Sequence, residues 1–283
     1  MTGIWKIVKT RWKKIIPGIF FVLVVLLFLF PILLAVNTSL KTKLETAEAV
    51  LSLPGSFYFN NYMQGMEKSN FSKSLLNSII VTVPSVSLIV LISALGGYTI
   101  ARNGKKSILL HSMDKVYLAS LMIPFQILMI PVYKMFKTLH LQNSLIGMIL
   151  MMTGYSIAYA TFLYVGFVKS IPIELEEAAI IDGCGPYVKF FKIVFPLLKP
   201  ISATVASLHV MWIWNDFNIS LVLLQKDAVR TLTIKQFYFF GEYASDYGMA
   251  FAASILCMIP ILVCFLFMQK YIVTGITAGA VKS

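Results

Sequence analysis

An all-α integral membrane protein with six transmembrane helices is the fold class this sequence predicts, on three observations. Of its 283 residues, 58% are hydrophobic and only 13% charged, with a mean hydropathy of +0.82. Soluble domains carry about 25% charged and about 45–50% apolar residues, and a soluble globule with this chain's composition could not cover its own surface. The apolar residues also gather in runs long enough to cross about 30 Å of hydrocarbon, and the basic residues collect between certain of those runs. The same composition excludes a disordered chain, a collagen and a coiled coil.

Taken in order, residues 1–14 form a basic N-terminus with Lys6, Lys9, Arg11, Lys13 and Lys14. A signal peptide would have a shorter apolar core and a small-residue cleavage site, and the apolar run Ile15–Val36 is long enough to span, so it reads as a retained first span. The polar stretch 37–72, punctuated by Pro54-Gly55 and Asn60-Asn61, reads as a loop. A second span at about Leu75–Ile100 contains Ser93-Ala94-Leu95-Gly96-Gly97, small residues that let helices approach closely. The remaining spans fall at about Val116–Phe136, Leu145–Val168, Ile201–Leu224 and Met249–Tyr271, giving a membrane domain over 15–271 and a tail over 272–283. Six spans put both termini on one side. Segments 1–14, 101–115, 169–200 and 270–283 on that side hold 15 of the 24 Lys and Arg and 5 of the 12 acids, a net +10 against +2 opposite. Cytoplasmic loops collect Lys and Arg, so both termini are expected in the cytoplasm, with loops 37–72 and 225–247 outside. The overall charge of +12 is then topogenic, and nucleic acid is not an expected partner.

The segment 169–200 lies on the basic side and is too well punctuated for a simple connection. Ser170 is placed to cap a helix and Pro172 to sit in its first turn. Glu174, Glu176 and Glu177 fall where a helix N-terminus favours negative charge, and Gly183 is a natural left-handed stop. Gly185-Pro186 restarts the chain into a second short helix, expected to end at Pro196, with Tyr187, Phe190, Phe191 and Val194 on one side. Small Ala178 and Ala179 beside Glu176 and Glu177 make a knob that could enter a cleft and offer carboxylates to Arg or Lys of a soluble partner. A passive linker is the competing reading of such a loop.

Glu177-Ala178-Ala179, three residues, Gly183, nine residues, Ile193, one residue and Phe195-Pro196 resemble the EAA signature of binding-protein-dependent ABC importer permeases, with Phe195 where the pattern has Leu. The stretch Ile171–Gly183 resembles the carbohydrate branch, the maltose-type (MalG-like) permeases. Leu76-Asn77-Ser78, Met122-Ile123-Pro124, Trp214-Asn215-Asp216 and the tail Gln269–Ser283 match in order over nearly the whole chain. The resemblance implies a bacterial cytoplasmic-membrane subunit of a sugar importer, acting with a second homologous permease, two ATPase subunits and an extracytoplasmic solute-binding protein. It implies that the helix in 169–200 is a coupling helix docked on the ATPase, with Glu174, Glu176, Glu177, Ala178, Ala179, Asp182, Gly183, Ile193 and Pro196 as coupling residues.

No GxxxxGK[ST] is present, since Gly104-Lys105-Lys106 lacks both the upstream glycine and the hydroxyl residue. ATP and Mg are therefore expected on partner subunits, with no cofactor on this chain. His111, His140 and His209 are far apart without metal spacing, Cys184, Cys257 and Cys264 form no disulfide framework, and no GxSxG elbow occurs, so catalysis is not expected. Candidate translocation residues are Gln126, Tyr155, Tyr159, Trp214, Asn215, Asp216 and Asn218, to which Tyr164 and Trp212 add aromatic faces able to stack on sugar rings. Each has a plain structural reading beside it: Asp216 as a carboxylate bonded to its neighbours, the aromatics as packing or interfacial belts, Gln126 as a partner for backbone freed by proline. A permease for a non-sugar solute and a lone secondary carrier are the alternative functions. The carrier reading calls for embedded coupling charges and matched repeats, of which the sequence shows little.

Overall fold

The structure, a computed structural model, describes residues 2–242 and 246–280, with side chains over 17–242 and 246–271. The side chains of the basic N-terminus and of the tail motif, with Val281-Lys282 entire, lie outside the described residues. The described chain is helical and divides into two compact units, Met1–Ser69 with Tyr238–Leu256 and Asn70–Phe237 with Cys257–Ser283. Among the described residues, four helices are long and apolar enough to cross a membrane, or up to six spans if each of two sharply bent helix pairs counts as one.

In the first unit, α1 (Thr2–Ser39) supplies the span Pro17–Ser39, with Phe20, Phe21, Leu27 and Phe28 about 70% exposed, as side chains bathed in lipid would be. The stretch 37–72 is built, not a plain loop. It carries α2 (Lys43–Glu48) and α3 (Asn60–Lys68). Thr42 and Glu45 close a capping box at the start of α2, satisfying backbone donors that a helix start leaves orphaned. Lys41 is fully buried, and its Nζ donates to the carbonyls of Ala49 (2.8 Å) and Val50 (2.9 Å) and to Ser52 Oγ (3.1 Å). Asn61 Nδ2 donates to the carbonyls of Ser39 and Lys41, so buried polar side chains hold this segment together while its large apolar side chains, such as Leu44, Leu53 and Phe57, are exposed.

The second unit is organised around α4 (Phe71–Asn103) and α7 (Leu145–Val168). The small residues of α4 permit the packing: a Cβ on Gly97 would stand 2.5 Å from Tyr164 Cβ and 3.2 Å from the Thr161 carbonyl oxygen. Asn77 and Ser78 near the start of α4 also have a role. Asn77 Nδ2 donates to the carbonyls of Ala228 and Arg230, and Ser78 Oγ accepts from Leu232 N, which pins the polar segment entering the helix Leu232–Glu242.

Two expected spans are broken. The third is α5 (Ile108–Ser120) and α6 (Phe125–Thr138), bent by 109°. Pro124 lacks an amide hydrogen and disfavours helical backbone at Ile123, so one helix cannot run through. The fifth is not a single helix over 201–224. α10 (Lys199–Trp214) stops at Asn215-Asp216-Phe217, where Asn215 Nδ2 donates to Met211 O and Asp216 accepts from the amides of Ile219 and Ser220, capping the short α11 (Asn218–Leu223). Such local side-chain bonds to backbone compete with helix continuation. After them come α12 (Leu232–Glu242) and α13 (Tyr247–Ala280), the latter carrying the last span to Tyr271. The loop expected over 225–247 is thus partly helical.

Candidate functional site

Between α7 and α10 the chain makes the helix–turn–helix expected from the sequence, with corrected boundaries. α8 runs Glu174–Ile181. Ser170 does not cap it; its hydroxyl donates back to the Phe167 carbonyl at 2.6 Å, and Ile173 occupies the cap position without a side-chain bond. Gly183 adopts φ +78°, Cys184 N donates to Ala179 O (2.9 Å) and Gly183 N to Ile180 O (3.0 Å). That pair of bonds is a Schellman stop. The second helix, α9 (Pro186–Leu197), contains a π turn over Phe190–Val194. Pro196 does not end it. Prolines are tolerated early in a helical turn, and the break falls at Leu198, where α9 and α10 meet at 72°.

The two helices sort the candidate residues by side. Glu174, Glu177, Ala178, Asp182 and Gly183 are exposed, beside Ile180 (57% exposed) and Ile181 (86%). Of the expected apolar side, Phe190 and Val194 are buried, whereas Tyr187 is 79% exposed and Phe191 about half exposed. Ala179 is buried and Ile193 half-buried. Glu176 departs from the expectation of an outward carboxylate. It is 4% exposed and turned into the second unit, where its oxygens accept from Tyr98 Oη (2.6 Å) and Arg102 Nε (2.7 Å), with Lys189 Nζ at 3.6 Å. Nothing in the sequence around Tyr98 points to this role. Arg102 read only as part of a basic loop because α4 was expected to stop before it.

The translocation candidates separate as well. A cavity of about 870 Å³ is lined by Tyr155 and Tyr159 of α7, Trp212 of α10, and Ser120, Leu121 and Ile123 at the α5–α6 break. Tyr159 and Trp212 lie with ring centroids 5.1 Å apart, and His209 sits 5.3 Å from Trp212. The other candidates are not brought to this cavity. Gln126 is exposed elsewhere on α6, and Trp214 is buried beside Leu232, Cys257 and Ile261. Asn215, Asp216 and Asn218 belong to the helix break already described, so Asp216 is engaged as a cap. Among the described residues no cluster of His, Cys, Asp and Glu is arranged to hold a metal.

Apolar spans, broken helices around a cavity and a short solvent-facing helical knob together define a membrane transport subunit. The family described as binding-protein-dependent transport system inner membrane component matches residues 68–278. The chain belongs to that family, the membrane permeases of ABC importers. It is 36% identical over 253 residues to the melibiose/raffinose/stachyose import permease protein MelC of Bacillus subtilis, covering 89% of this chain and 91% of that one. It is 35% identical over 259 residues to the multiple sugar-binding transport system permease protein MsmG of Streptococcus mutans, covering 91% and 93%. A crystal structure of a bacterial ABC transporter for import of the acidic polysaccharide alginate contains a chain of the same fold, with a TM-score of 0.76 at 22% identity, covering 93% of this chain and 97% of that one.

Proposed function

We propose that this chain is one permease subunit of a carbohydrate importer for oligosaccharides, paired with a second, homologous permease and driven by two copies of a separate ATPase. An extracytoplasmic solute-binding protein delivers the sugar to the face carrying 37–72 and 225–247, and both termini are cytoplasmic. The sugar class rests on relatives named for sugar transport over most of both chains. ATP and Mg bind the partner ATPase, because no phosphate-binding loop exists here. The observation that carries the coupling role is the exposed knob Glu177–Gly183, ended at one fixed angle by its Schellman stop and fringed by exposed Ile180, Ile181 and Tyr187. An apolar fringe around carboxylates suits a cleft that pairs basic side chains with buried apolar area. Glu174 on the same helix and Ile193 and Pro196 on α9 belong to the coupling segment in this reading. Tyr155 and Tyr159, together with Trp212, are the pathway residues the geometry favours, since their aromatic faces line one cavity.

The test uses the full transporter. Glu177→Lys and Gly183→Leu are expected to leave membrane levels unchanged, to release the ATPase in a pull-down, and to abolish uptake of labelled raffinose or maltotriose. Normal ATPase retention with normal uptake in both variants reduces residues 171–196 to a linker. Orientation is read in a chain with Cys184, Cys257 and Cys264 replaced: a cysteine at Gln64 should label from outside and one at Asp182 only from inside.

A further inference from the structure

We infer that Glu176 is a positioning residue for coupling, the internal strut that locks the knob to the end of α4, and that it takes no part in docking. The inference rests on the coupling role proposed for the knob. Glu176 and Glu177 are adjacent in sequence but face opposite ways: Glu177 is exposed, Glu176 is 4% exposed. Both carboxylate oxygens of Glu176 are engaged, Oε1 by Arg102 Nε at 2.7 Å and Oε2 by Tyr98 Oη at 2.6 Å, with Lys189 Nζ 3.6 Å from Oε2. Tyr98 and Arg102 are four apart, one above the other on the last turns of α4. Lys189 comes from α9, so one buried carboxylate ties α4, α8 and α9.

One further bond and one ring contact make the junction stiff rather than merely charged. Arg102 Nη2 donates to the Ile171 carbonyl at 2.9 Å, which fixes the chain entering α8. The Tyr98 ring packs on Phe190, 5.3 Å between centroids, at the start of the π turn. α4 in turn is packed along α7 through Gly97, so a displacement of the knob reaches the two long helices of the second unit without slack. A buried, fully partnered carboxylate stores its energy in geometry, because rotating it away leaves a charge unpaired in a low-dielectric site. The arrangement therefore couples movement and would be a poor docking contact, since Glu176 has no free oxygen to offer.

The experiment compares Glu176→Gln, Tyr98→Phe and the docking variant Glu177→Lys in the complete reconstituted transporter. ATPase retention, ATP hydrolysis stimulated by sugar-loaded binding protein, and uptake of labelled raffinose or maltotriose are all measured. Glu176→Gln is expected to retain the ATPase at the wild-type level and to hydrolyse ATP, while sugar imported per ATP falls about tenfold. Tyr98→Phe removes one oxygen and keeps the ring contact, so it should uncouple in the same direction by about two- to threefold. It carries the test if Glu176→Gln lowers the amount of protein in the membrane. An unchanged sugar-to-ATP ratio in both variants, or loss of the ATPase from Glu176→Gln complexes, overturns the strut. Wild-type behaviour of Glu177→Lys instead overturns the docking reading on which it rests.

Discussion

Gly183 offers a test in which backbone strain is isolated from crowding. Its φ of +78° lies in the left-handed region, and a Cβ added there would meet no atom within 4 Å. Substitution therefore costs only the left-handed backbone penalty, about 1–2 kcal/mol for an ordinary L-residue and less for Asn, which tolerates that region. The neighbour Gly185 is an internal control: φ is −66°, the space is equally open, and Ala fits without strain. If docking requires the Schellman end, Gly183→Ala shifts the knob away from its docking shape by about 5- to 30-fold, since 1.4 kcal/mol is a factor of ten. Gly183→Asn should shift it several-fold less, and Gly185→Ala hardly at all. The assay is a titration of the isolated ATPase subunit against the solubilised permease pair. Equal affinities for Gly183→Ala, Gly183→Asn and wild type, or a loss in Gly185→Ala as large as in Gly183→Ala, would refute the reasoning.

Gly97→Val should weaken the α4–α7 seam, because its Cβ falls 2.5 Å from Tyr164 Cβ and neither helix backbone can yield. Overpacking of this kind costs about 1–3 kcal/mol, read as a lower unfolding temperature in detergent, while Gly154→Ala on α7, with open space around it, should hold or raise that temperature because Ala favours helix over Gly. Asp227 is held below the usual carboxylate range, first by its bond from Lys235 and further by the charges of Lys235 and Arg230. A depressed carboxylate pKa contributes stability above its ordinary value of about 3.9 and loses it as pH falls through the lower folded value. The segment 225–235 should thus exchange amide hydrogens faster, relative to other segments, as the pH is lowered into that range, an effect of about 0.5 kcal/mol or less at this half-exposed group. Asp227→Asn should remove the pH dependence.

What the sequence made legible follows from which signals are local. Hydropathy placed the spans at Ile15–Val36, Leu75–Ile100, Leu145–Val168 and Met249–Tyr271 close to the helices observed, because burial in hydrocarbon is a property of a run and needs no neighbour. Gly183 was legible because only a few residue types accept φ > 0. The partners of Glu176 were not, since Tyr98 and Arg102 precede it by more than 70 residues and nothing in periodicity joins them. Ser170 was misread as a cap because a capping residue is recognised by type, while its hydroxyl in fact closes the end of the preceding helix at Phe167.

The broken spans show where a hydropathy reading discards information. Both expected spans that fail contain a signal weaker than their apolar run: Pro124 in one, Asn215-Asp216 in the other. Those residues sit at the places where the chain departs from simple membrane crossing. The break beside Pro124 places Ser120, Leu121 and Ile123 in the wall of the cavity that Tyr155 and Tyr159 also line. The bend at Leu198 turns α9 by 72° from α10, so Lys189, which reaches the strut carboxylate of Glu176, and Trp212 at the cavity wall lie on successive pieces of one broken rod. Irregular backbone within an apolar chain is tolerated only where protein or a cavity satisfies it. The breaks at Pro124 and Leu198 therefore adjoin the cavity and the coupling segment, whereas Asn215-Asp216 only ends one helix and caps the next, so a proline inside a hydrophobic run is the sequence feature to read first in such a permease.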